Sequence, residues 1–499
     1  MERESMEYDV VIVGAGPSGL STAIKLRQIS EATGKDISVC VLEKGSEVGA
    51  HILSGAVLEP RALFELFPDW KERGAPLNTP VTSDKFLFLT KNSSVQLPTP
   101  PQMNNHGNYI ISLGNFCRWL AEQAESLGVE IYPGFAASEI LFNPDGSVKG
   151  VATGDMGIGK DGEQTPNYTQ GIELHAKQTV FSEGVRGSLT KEIFDKFQLR
   201  KNADPQTFAI GIKELWEISP DKHKQGLAVH TVGWPIDNST YGGSFLYHLE
   251  DNQVSVGYVI GLDYQNPHLS PFDEFQRFKQ HNLIKQTLEG GKRVSYGARA
   301  VSKGGLQAVP KLTVPGGLLV GDDAGFLNNL KQKGTHTAMK TGMLAAEAVF
   351  EAVKSGSTGG AELTGYTQRY KDSWVYEELH RARNTMPLLH KLGLFLGSAC
   401  VWIDQYIFRG NLPFTMTDSK PDHAQLKPAS KMEKPDYPRP DGVISFDKLS
   451  SVFITNTSHE EDQPCHLQLA NADVPINSNL PLFDEPAQRY CPAGVYEVL

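Results

Sequence analysis

Cysteine is scarce in this chain. There are five in 499 residues, Cys40, Cys117, Cys400, Cys465 and Cys491, and no C-x-x-C pair among them. That argues against a disulfide framework and suggests a reducing compartment. Positive charge is also short, with 47 Lys and Arg against 58 Asp and Glu and a formal net charge of −11. No basic field exists to neutralise phosphates, so nucleic acid is not an expected partner. No apolar run reaches the roughly 20 residues of a spanning helix. The most apolar stretch, LGLFLGSACVWI over 392–403, is bounded closely by Lys391 and Asp404. The first residues hold no apolar h-region and no Arg-rich transit stretch, so we expect a chain that starts in the cytoplasm, or a mature or trimmed form. No fixed-period repeat is present.

What is present starts at Asp9. The run Asp9-Val10-Val11-Ile12-Val13 is short, apolar and β-branched, as a buried parallel strand requires. Gly14-Ala15-Gly16-Pro17-Ser18-Gly19 follows at once, and Leu20 to Gln28 reads as a helix. This is G-x-G-x-x-G between a strand and a helix. Gly14 serves the tight turn, Gly16 lets backbone approach a pyrophosphate, and Gly19 lets the helix pack on the strand. Unpaired N–H groups at the helix start then face the phosphates. A second strand over 37–42 ends in Glu43, 24 residues beyond Gly19, with Lys44 next. A carboxylate there accepts from ribose hydroxyls and repels a 2′-phosphate. The glycine motif alone is weak; with strand, helix and acid in place it predicts a dinucleotide site.

Further along, 49–55 is Gly-punctuated loop, and 58–70 is a short amphipathic helix candidate. The Pro- and Asn-rich 74–108 predicts loop with short strands. A helix is expected over 112–127 and strands over 129–132, 137–142 and 148–152. Residues 178–181 then lead into a second glycine turn, 182–188. Between 205 and 300 the pattern changes to an inserted antiparallel sheet, with strands at 209–216, 229–234, 243–248 and 254–262 and dense aromatics. Gly317 to Asp322 is a strand ending in Gly-Asp, and Gly334-Thr335 opens a helix to about Val353. An amphipathic region, 374–408, and a Pro-rich tail from 413 close the chain.

Three of these pieces suit one cofactor. The first glycine turn and Glu43 take an ADP moiety. Gly321-Asp322 suits a carboxylate accepting from a ribityl hydroxyl, although alone it reads as a strand-end turn. The helix start at Gly334-Thr335 could place its positive end against the flavin pyrimidine. Together they favour FAD over a nicotinamide cofactor.

This architecture resembles the glutathione-reductase and hydroxylase type of FAD protein. The runs DVVIVGAGPSGLSTAIKL, GAHILSGAVLEP, DPQTFAIGIKELW, TYGGSFLYHL, GGLQAVPKLTVPGGLLVGD, KGTHTAMKTG and QRYCPAGVYE narrow the likeness. Over essentially the whole chain the sequence resembles the electron transfer flavoprotein–ubiquinone oxidoreductases. The resemblance implies an α/β fold: a discontinuous FAD-binding Rossmann-like domain (1–75, 110–200, 300–355) with an inserted α+β quinone-binding domain (76–109, 201–299). A helical membrane-contacting region (356–412) and a truncated ferredoxin-like region (413–499) follow. It implies an oxidoreductase that oxidises reduced electron transfer flavoprotein through FAD and a [4Fe-4S] cluster and reduces ubiquinone. It implies FAD contacts at Gly14, Gly16, Pro17, Ser18, Gly19, Glu43, Lys44, Gly321, Asp322, Gly334 and Thr335, and quinone contacts at Tyr241, Gly242 and Gly243. Paired glycines with Tyr241, Phe245 and Tyr247 would form a flat apolar slot; a strand bulge in an aromatic core is the plainer reading.

The family holds its cluster with the cysteine of CPAGVYE, here Cys491, and three from a later C-x-x-C-x-x-C. The sequence in hand stops at Leu499, so the expectation is a chain that cannot build the cluster alone. The resemblance also implies monotopic membrane contact near 46–67 and 389–408, at the cytoplasmic face of a bacterial inner membrane or the matrix face of the mitochondrial one. A buried core helix is the competing account of 392–403. Two other functions stay open: an FAD-dependent monooxygenase or reductase, and a non-catalytic FAD-binding fragment. No second G-x-G-x-x-G after a strand speaks for a nicotinamide site.

Overall fold

A computed structural model describes residues 3–53, 55–356, 359–455, 457 and 460–499. Ser54, in the expected 49–55 loop, lies outside them. Two large sheets carry the fold. The first has eight strands, and its main path runs 313–314, 317–319, 173–181, 5–13, 39–43 and 130–133. Val10–Val13 is fully paired on both sides, in parallel with Gln178–Phe181 and with Val39–Leu42. Val10, Val11 and Ile12 have no exposed surface, so this central strand is apolar on both faces, as its sequence requires. Helix Pro17–Thr33 starts with Pro17 in its first turn and ends at Gly34 in the left-handed region. It packs against helices Leu113–Ser126 and Thr335–Lys354. Gly342 permits the second approach, since a Cβ there would sit 2.3 Å from the Ser18 carbonyl oxygen.

The second sheet has seven strands in the order 292–302, 208–217, 253–261, 242–248, 227–233, 83–89 and 94–97. It is mixed rather than purely antiparallel, because Ser83–Leu89 joins Leu227–Gly233 in parallel. That strand comes from the Pro- and Asn-rich region, where short strands are expected but not their partner. The expected helix over 58–70 shrinks to Arg61–Leu66. Its apolar residues are nevertheless core: Leu63, Leu66 and Phe67 are buried. Helices Pro271–Lys279 and Asn282–Leu288 cover the second sheet; the first is capped by Ser270, whose hydroxyl accepts from Asp273 N–H.

Helix Thr385–Tyr406 breaks at Gly393 (φ 72°, ψ 178°). Its first turns are buried at Met386, Pro387 and Leu388. Beyond the break, Phe395, Leu396, Trp402 and Ile403 are exposed, and Ile407 and Phe408 continue the surface. The apolar run is therefore not a core helix.

Candidate functional site

The glycine turn lies between the carboxyl end of strand Ser5–Val13 and helix Pro17–Thr33. Each glycine answers a different demand. Gly14 has φ 105°, and a Cβ there would lie 2.5 Å from the Ser182 carbonyl oxygen. A Cβ on Gly19 would lie 2.1 Å from the Gly14 oxygen, so the helix could not seat on the strand. Gly16 is in ordinary extended backbone, and a Cβ there would meet nothing within 4 Å. That glycine faces open space beside a helix start, where a phosphate group fits. Glu43 stands at the end of the second strand. Its carboxylate accepts from Ala15 N–H (3.1 Å) and Gly45 N–H (2.7 Å), which ties it to the glycine turn. Lys44 beside it is exposed.

The 321–323 turn joins this edge. A Cβ on Gly321 would lie 2.7 Å from Ser18 Oγ, and Gly321 N–H donates to Thr341 Oγ1 at 3.1 Å. The helix that begins at Thr335 is thus fixed beside the glycine turn, with Gly334 as its cap residue. Asp322 accepts no side-chain hydrogen bond among the described residues, and burial raises its pKa to about 6 against the pull of Arg299. A hydroxyl donor would complete it. Its neighbour Asp323 has a different job, accepting from Glu183 N–H (2.6 Å) and Thr190 Oγ1 (3.0 Å). Lys213, whose pKa burial and then Arg299 lower to about 8, and Arg299 form no ion pair among the described residues. Arg299, close enough to act on both Asp322 and Lys213, makes this edge receptive to an anionic ligand.

Tyr241, Gly242 and Gly243 lie at the start of strand Gly242–His248. A Cβ on Gly243 would sit 2.7 Å from the Thr231 carbonyl oxygen, and one on Gly242 would sit 2.6 Å from Ile236 Cδ1 and from the Val259 oxygen. Close strand packing therefore demands both glycines. Phe245 stacks on Tyr247 (4.7 Å, 20°), and Tyr247 is buried against His230. Of the three aromatics expected there, Tyr247 is buried, while Tyr241 and Phe245 are half-buried. The Tyr241 hydroxyl accepts from Gln332 Nε2 at 2.9 Å. Gln332 lies two residues before Gly334, so the Tyr241 loop and the Thr335 helix start are neighbours. A cavity of about 280 Å³ lies next to this edge, lined by Phe88, Trp234, Ile236, Asn238, Leu394 and Phe395 among others.

Cys491 is buried, and Val495 N–H donates to its sulfur at 3.4 Å. Cys40 and Cys117 belong to the first domain's core, Cys400 to the apolar helix, and Cys465 is exposed.

Family models match three regions: an NAD(P)-binding Rossmann-like domain over 12–72, the ubiquinone-binding domain of electron transfer flavoprotein–ubiquinone oxidoreductase over 208–301, and that enzyme's 4Fe-4S domain over 442–499. A protein of Pseudomonas aeruginosa named electron transfer flavoprotein-ubiquinone oxidoreductase is 62% identical across all of this chain and 92% of its own length. A mitochondrial protein of Mus musculus with the same name is 56% identical across all of this chain and 82% of its own. The chain belongs to the electron transfer flavoprotein–ubiquinone oxidoreductase family. Solved structures share the fold at low identity. A geranylgeranyl bacteriochlorophyll reductase-like protein from Thermoplasma acidophilum has TM-score 0.59 at 16% identity, covering 83% of this chain and 94% of that one. A flavoprotein/dehydrogenase from Cytophaga hutchinsonii has TM-score 0.52 at 15% identity, covering 81% and 87%.

The family's cofactors are FAD and a [4Fe-4S] cluster. The FAD residues fit their group: open space at Gly16, a carboxylate at the second strand's end, and a desolvated carboxylate at 322. The cluster residues do not: a [4Fe-4S] centre takes four thiolates, and among the described residues Cys491 has no second cysteine beside it. No step below is routed through that cluster.

Reading the sequence did not find Lys213, Arg299, Lys303 or His390, which converge on this edge from separate strands and a helix. Single Lys, Arg and His residues carry no local pattern. Nor did it find Lys331, which pairs with Glu59 and Glu378 (2.8 Å each) beside buried His336.

Proposed function

We propose that FAD lies along the glycine turn, with Gly14, Gly16, Pro17, Ser18 and Gly19 around its pyrophosphate. Glu43 takes the ribose, Asp322 a ribityl hydroxyl, and the helix start at Gly334-Thr335 faces the flavin pyrimidine. Lys44, exposed beside Glu43, joins the adenosine end of the cofactor. The chain is an electron-transferring-flavoprotein dehydrogenase, passing electrons from reduced electron transfer flavoprotein to ubiquinone. FAD supplies the redox chemistry when bound. The protein's residues bind it, orient it and hold it beside the quinone.

The observation that carries the residue-level reading is the Gln332–Tyr241 hydrogen bond. It joins the loop that opens the flavin helix to the strand start assigned to quinone, so the two sites share one edge. Quinone meets Tyr241 and the backbone at Gly242 and Gly243. Its tail leaves through the cavity at Ile236 and Leu394. Membership of the sheets supports a discontinuous FAD domain and a quinone domain that includes Ser83–Leu97; the helices between 365 and 406 and the family match over 442–499 support a helical region and a C-terminal iron–sulfur region.

The tail then reaches the exposed apolar surface of 392–408, which we assign to monotopic membrane contact. Phe395, Leu396 and Ile407, all within 392–408, are 59%, 67% and 63% exposed. Among the described residues of 46–67, Phe64 is the one large apolar side chain that is exposed. The orientation is the cytoplasmic face of a bacterial membrane or the matrix face of a mitochondrial one.

The test is to fill the cavity. Ile236→Trp and Leu394→Trp should raise the KM for a short-chain ubiquinone while leaving FAD content unchanged. Unaltered KM in both variants would put the quinone elsewhere.

A further inference from the structure

Behind Tyr241 lies a buried ion cluster that neither FAD binding nor quinone binding uses. His390, just before the Gly393 break, is its centre. Its Nδ1 is 2.8 Å from Asp418 Oδ2, and its Nε2 is 2.9 Å from Asp263 Oδ2. Lys303, only 2% exposed, places Nζ 3.0 Å from His390 Nε2 and 3.0 Å from the same Asp263 oxygen. Burial disfavours charge on His390, but the two carboxylates outweigh it and raise its pKa. Burial likewise opposes charge on Asp263, yet His390 and Lys303 hold it well below the usual carboxylate range.

The cluster has an outer and an inner end. Asp418 is the outer end, partly exposed, and its backbone N–H donates to Asp204 Oδ2 at 2.8 Å. The inner end is Asp263, whose Oδ1 is buried with no hydrogen-bond partner among the described residues. Gly261 measures how tightly that end meets the quinone edge. A Cβ there would lie 2.3 Å from Asp263 Oδ1, 3.2 Å from Lys303 Cε and 3.3 Å from Tyr241 Cβ. Lys303 Nζ sits 5.1 Å from the centre of the Tyr241 ring.

Two proton arrangements fit these distances. The imidazolium form donates from Nδ1 to Asp418 and from Nε2 to Asp263. In the neutral form Nδ1–H still donates to Asp418, and Nε2 accepts from Lys303. Loss of the Nε2 proton is therefore met by a donor already at 3.0 Å. An imidazole with a carboxylate on each nitrogen, one toward solvent and one toward a buried edge, is the arrangement of a shuttle.

We propose that Asp418, His390 and Asp263 form the proton relay that serves quinone reduction, with Lys303 positioning it; this rests on the assignment of quinone to the Tyr241 edge. The reaction needs it. Ubiquinone takes two electrons from reduced flavin, and each carbonyl oxygen takes one proton to become a hydroxyl. In each pass the imidazolium releases its Nε2 proton through Asp263 toward the quinone oxygen. The neutral ring then reorients, so that its bare nitrogen takes a proton that Asp418 has drawn from solvent. Two passes balance the two electrons. Membrane lipid closes the other side of a quinone site, so a polar route through the protein is required. The other titratable groups near His390 are Asp422, whose pKa burial raises to about 6 while Lys303 and His390 pull it down, and exposed Lys391 on the same helix. Asp422 Oδ2 accepts from Phe208 N–H, and its Oδ1 is also without a hydrogen-bond partner among the described residues.

The experiment uses the FAD-loaded chain, reduced with dithionite under argon and mixed with ubiquinone-1 or with ferricyanide, which takes electrons without protons. Flavin reoxidation is followed from pH 6 to 9. His390→Gln should slow the quinone reaction by about 10²-fold, the low end for a positioned proton donor, and imidazole should restore part of it. The ferricyanide rate should match the parent. Asp418→Asn, at the exposed end and without risk to the core, should slow the quinone reaction less and steepen its fall toward high pH. Equal slowing with both acceptors, or parental rates and pH profile in both variants, would overturn the relay. Ile236→Trp separates the two readings. If it slows quinone reduction while His390→Gln does not, the relay fails alone; if it changes nothing, the site assignment fails with it.

Discussion

Gly14 and Gly16 are two residues apart in one motif, yet the structure assigns them opposite sensitivities. Gly16→Ala places its methyl in open space, in backbone that any residue adopts (φ −82°, ψ −178°). The apo protein should then melt within about 0.5 kcal/mol of the parent, as benign surface substitutions do. With FAD the same methyl occupies the pyrophosphate's approach. Losing two N–H bonds to a charged phosphate removes about 3 to 6 kcal/mol at 1.5 to 3 each. At 1.4 kcal/mol per decade that is about 10²- to 10⁴-fold in Kd. Gly14→Ala differs because its Cβ strikes the Ser182 oxygen at 2.5 Å, in a positive-φ turn. The backbone alone costs about 1 to 2 kcal/mol, before the strand at Ser182 is displaced. The assay is calorimetric FAD titration of each apo protein, with thermal melts in the presence and absence of FAD. FAD adds RT ln(1 + [L]/Kd) to the folded state, so Gly16→Ala should lose only the FAD-induced part of the melt shift, while Gly14→Ala should lose that and apo stability too. Parental FAD affinity in Gly16→Ala, or equal apo destabilisation in both variants, would refute the assignment of the cradle.

Glu214, fully buried, holds two cations, Lys279 (2.8 Å) and Arg293 (3.2 Å). Glu214→Gln leaves both uncompensated and should cost about 3 to 5 kcal/mol in urea unfolding, whereas Lys279→Met leaves a neutral pair and should cost less than half as much; the reverse order would contradict this electrostatic account. His248 Nδ1 accepts Lys224 N–H at 3.1 Å, so the folded state wants it neutral, and burial, with His223 and Lys224 beside it, lowers its pKa to about 4. Because the folded pKa lies below the unfolded 6.5, this stability is full above about pH 6.5 and falls as pH drops toward 4. At pH 5 the loss is about 2 kcal/mol, and His248→Gln should escape it when urea midpoints at pH 7.5 and 5 are compared. Replacing Phe395, Leu396 and Ile407 by Ser should abolish binding to neutral phosphatidylcholine vesicles in flotation without lowering the melting temperature, since all three are exposed. Retained flotation would move the membrane contact elsewhere.

The elements written in a short local code were legible in the sequence. The strand at 9–13, the glycine turn and the helix after it are adjacent, so pattern and contact coincide, and Glu43 closes the turn from one strand away. The strands at 209–216 and 254–262 were also legible, since their apolar alternation is long. Short strands within 74–108 were legible too, but the parallel pairing of 83–89 with 227–233 was not, because a pairing across that distance leaves no trace in either segment. Lys292–Ser302, the sheet's edge, was missed for another reason: it alternates charged and small residues, and its burial depends on neighbours. The Tyr241 slot shows the limit most clearly. Paired glycines beside aromatics read equally as a ligand surface or as a strand bulge, and their missing side chains also make room for the carbonyls of Thr231 and Val259, which no local pattern reveals.

The helix Thr385–Tyr406 joins these observations. Its first turns, through Leu388, are core and it carries His390 into the ion cluster; after Gly393 most of its large apolar side chains face outward, although Asp404 and Gln405 near its end are buried. A straight amphipathic helix would keep one face inward along its length, placing lipid-facing and core-facing residues in the same turns. The break at φ 72° separates the two requirements along the chain instead. Asn238 holds it there, accepting from Leu394 N–H through its carbonyl (3.3 Å) and from Phe395 N–H through its side chain (3.1 Å). Asn238 also lines the cavity at Ile236. One residue therefore fixes where the buried half ends, where the apolar surface begins and where the cavity opens between them. Asn238→Ala should uncouple these features, loosening the 393–396 backbone in hydrogen exchange while sparing amides in Val10–Val13. Unchanged protection at Leu394 and Phe395 would mean that packing alone sets the break.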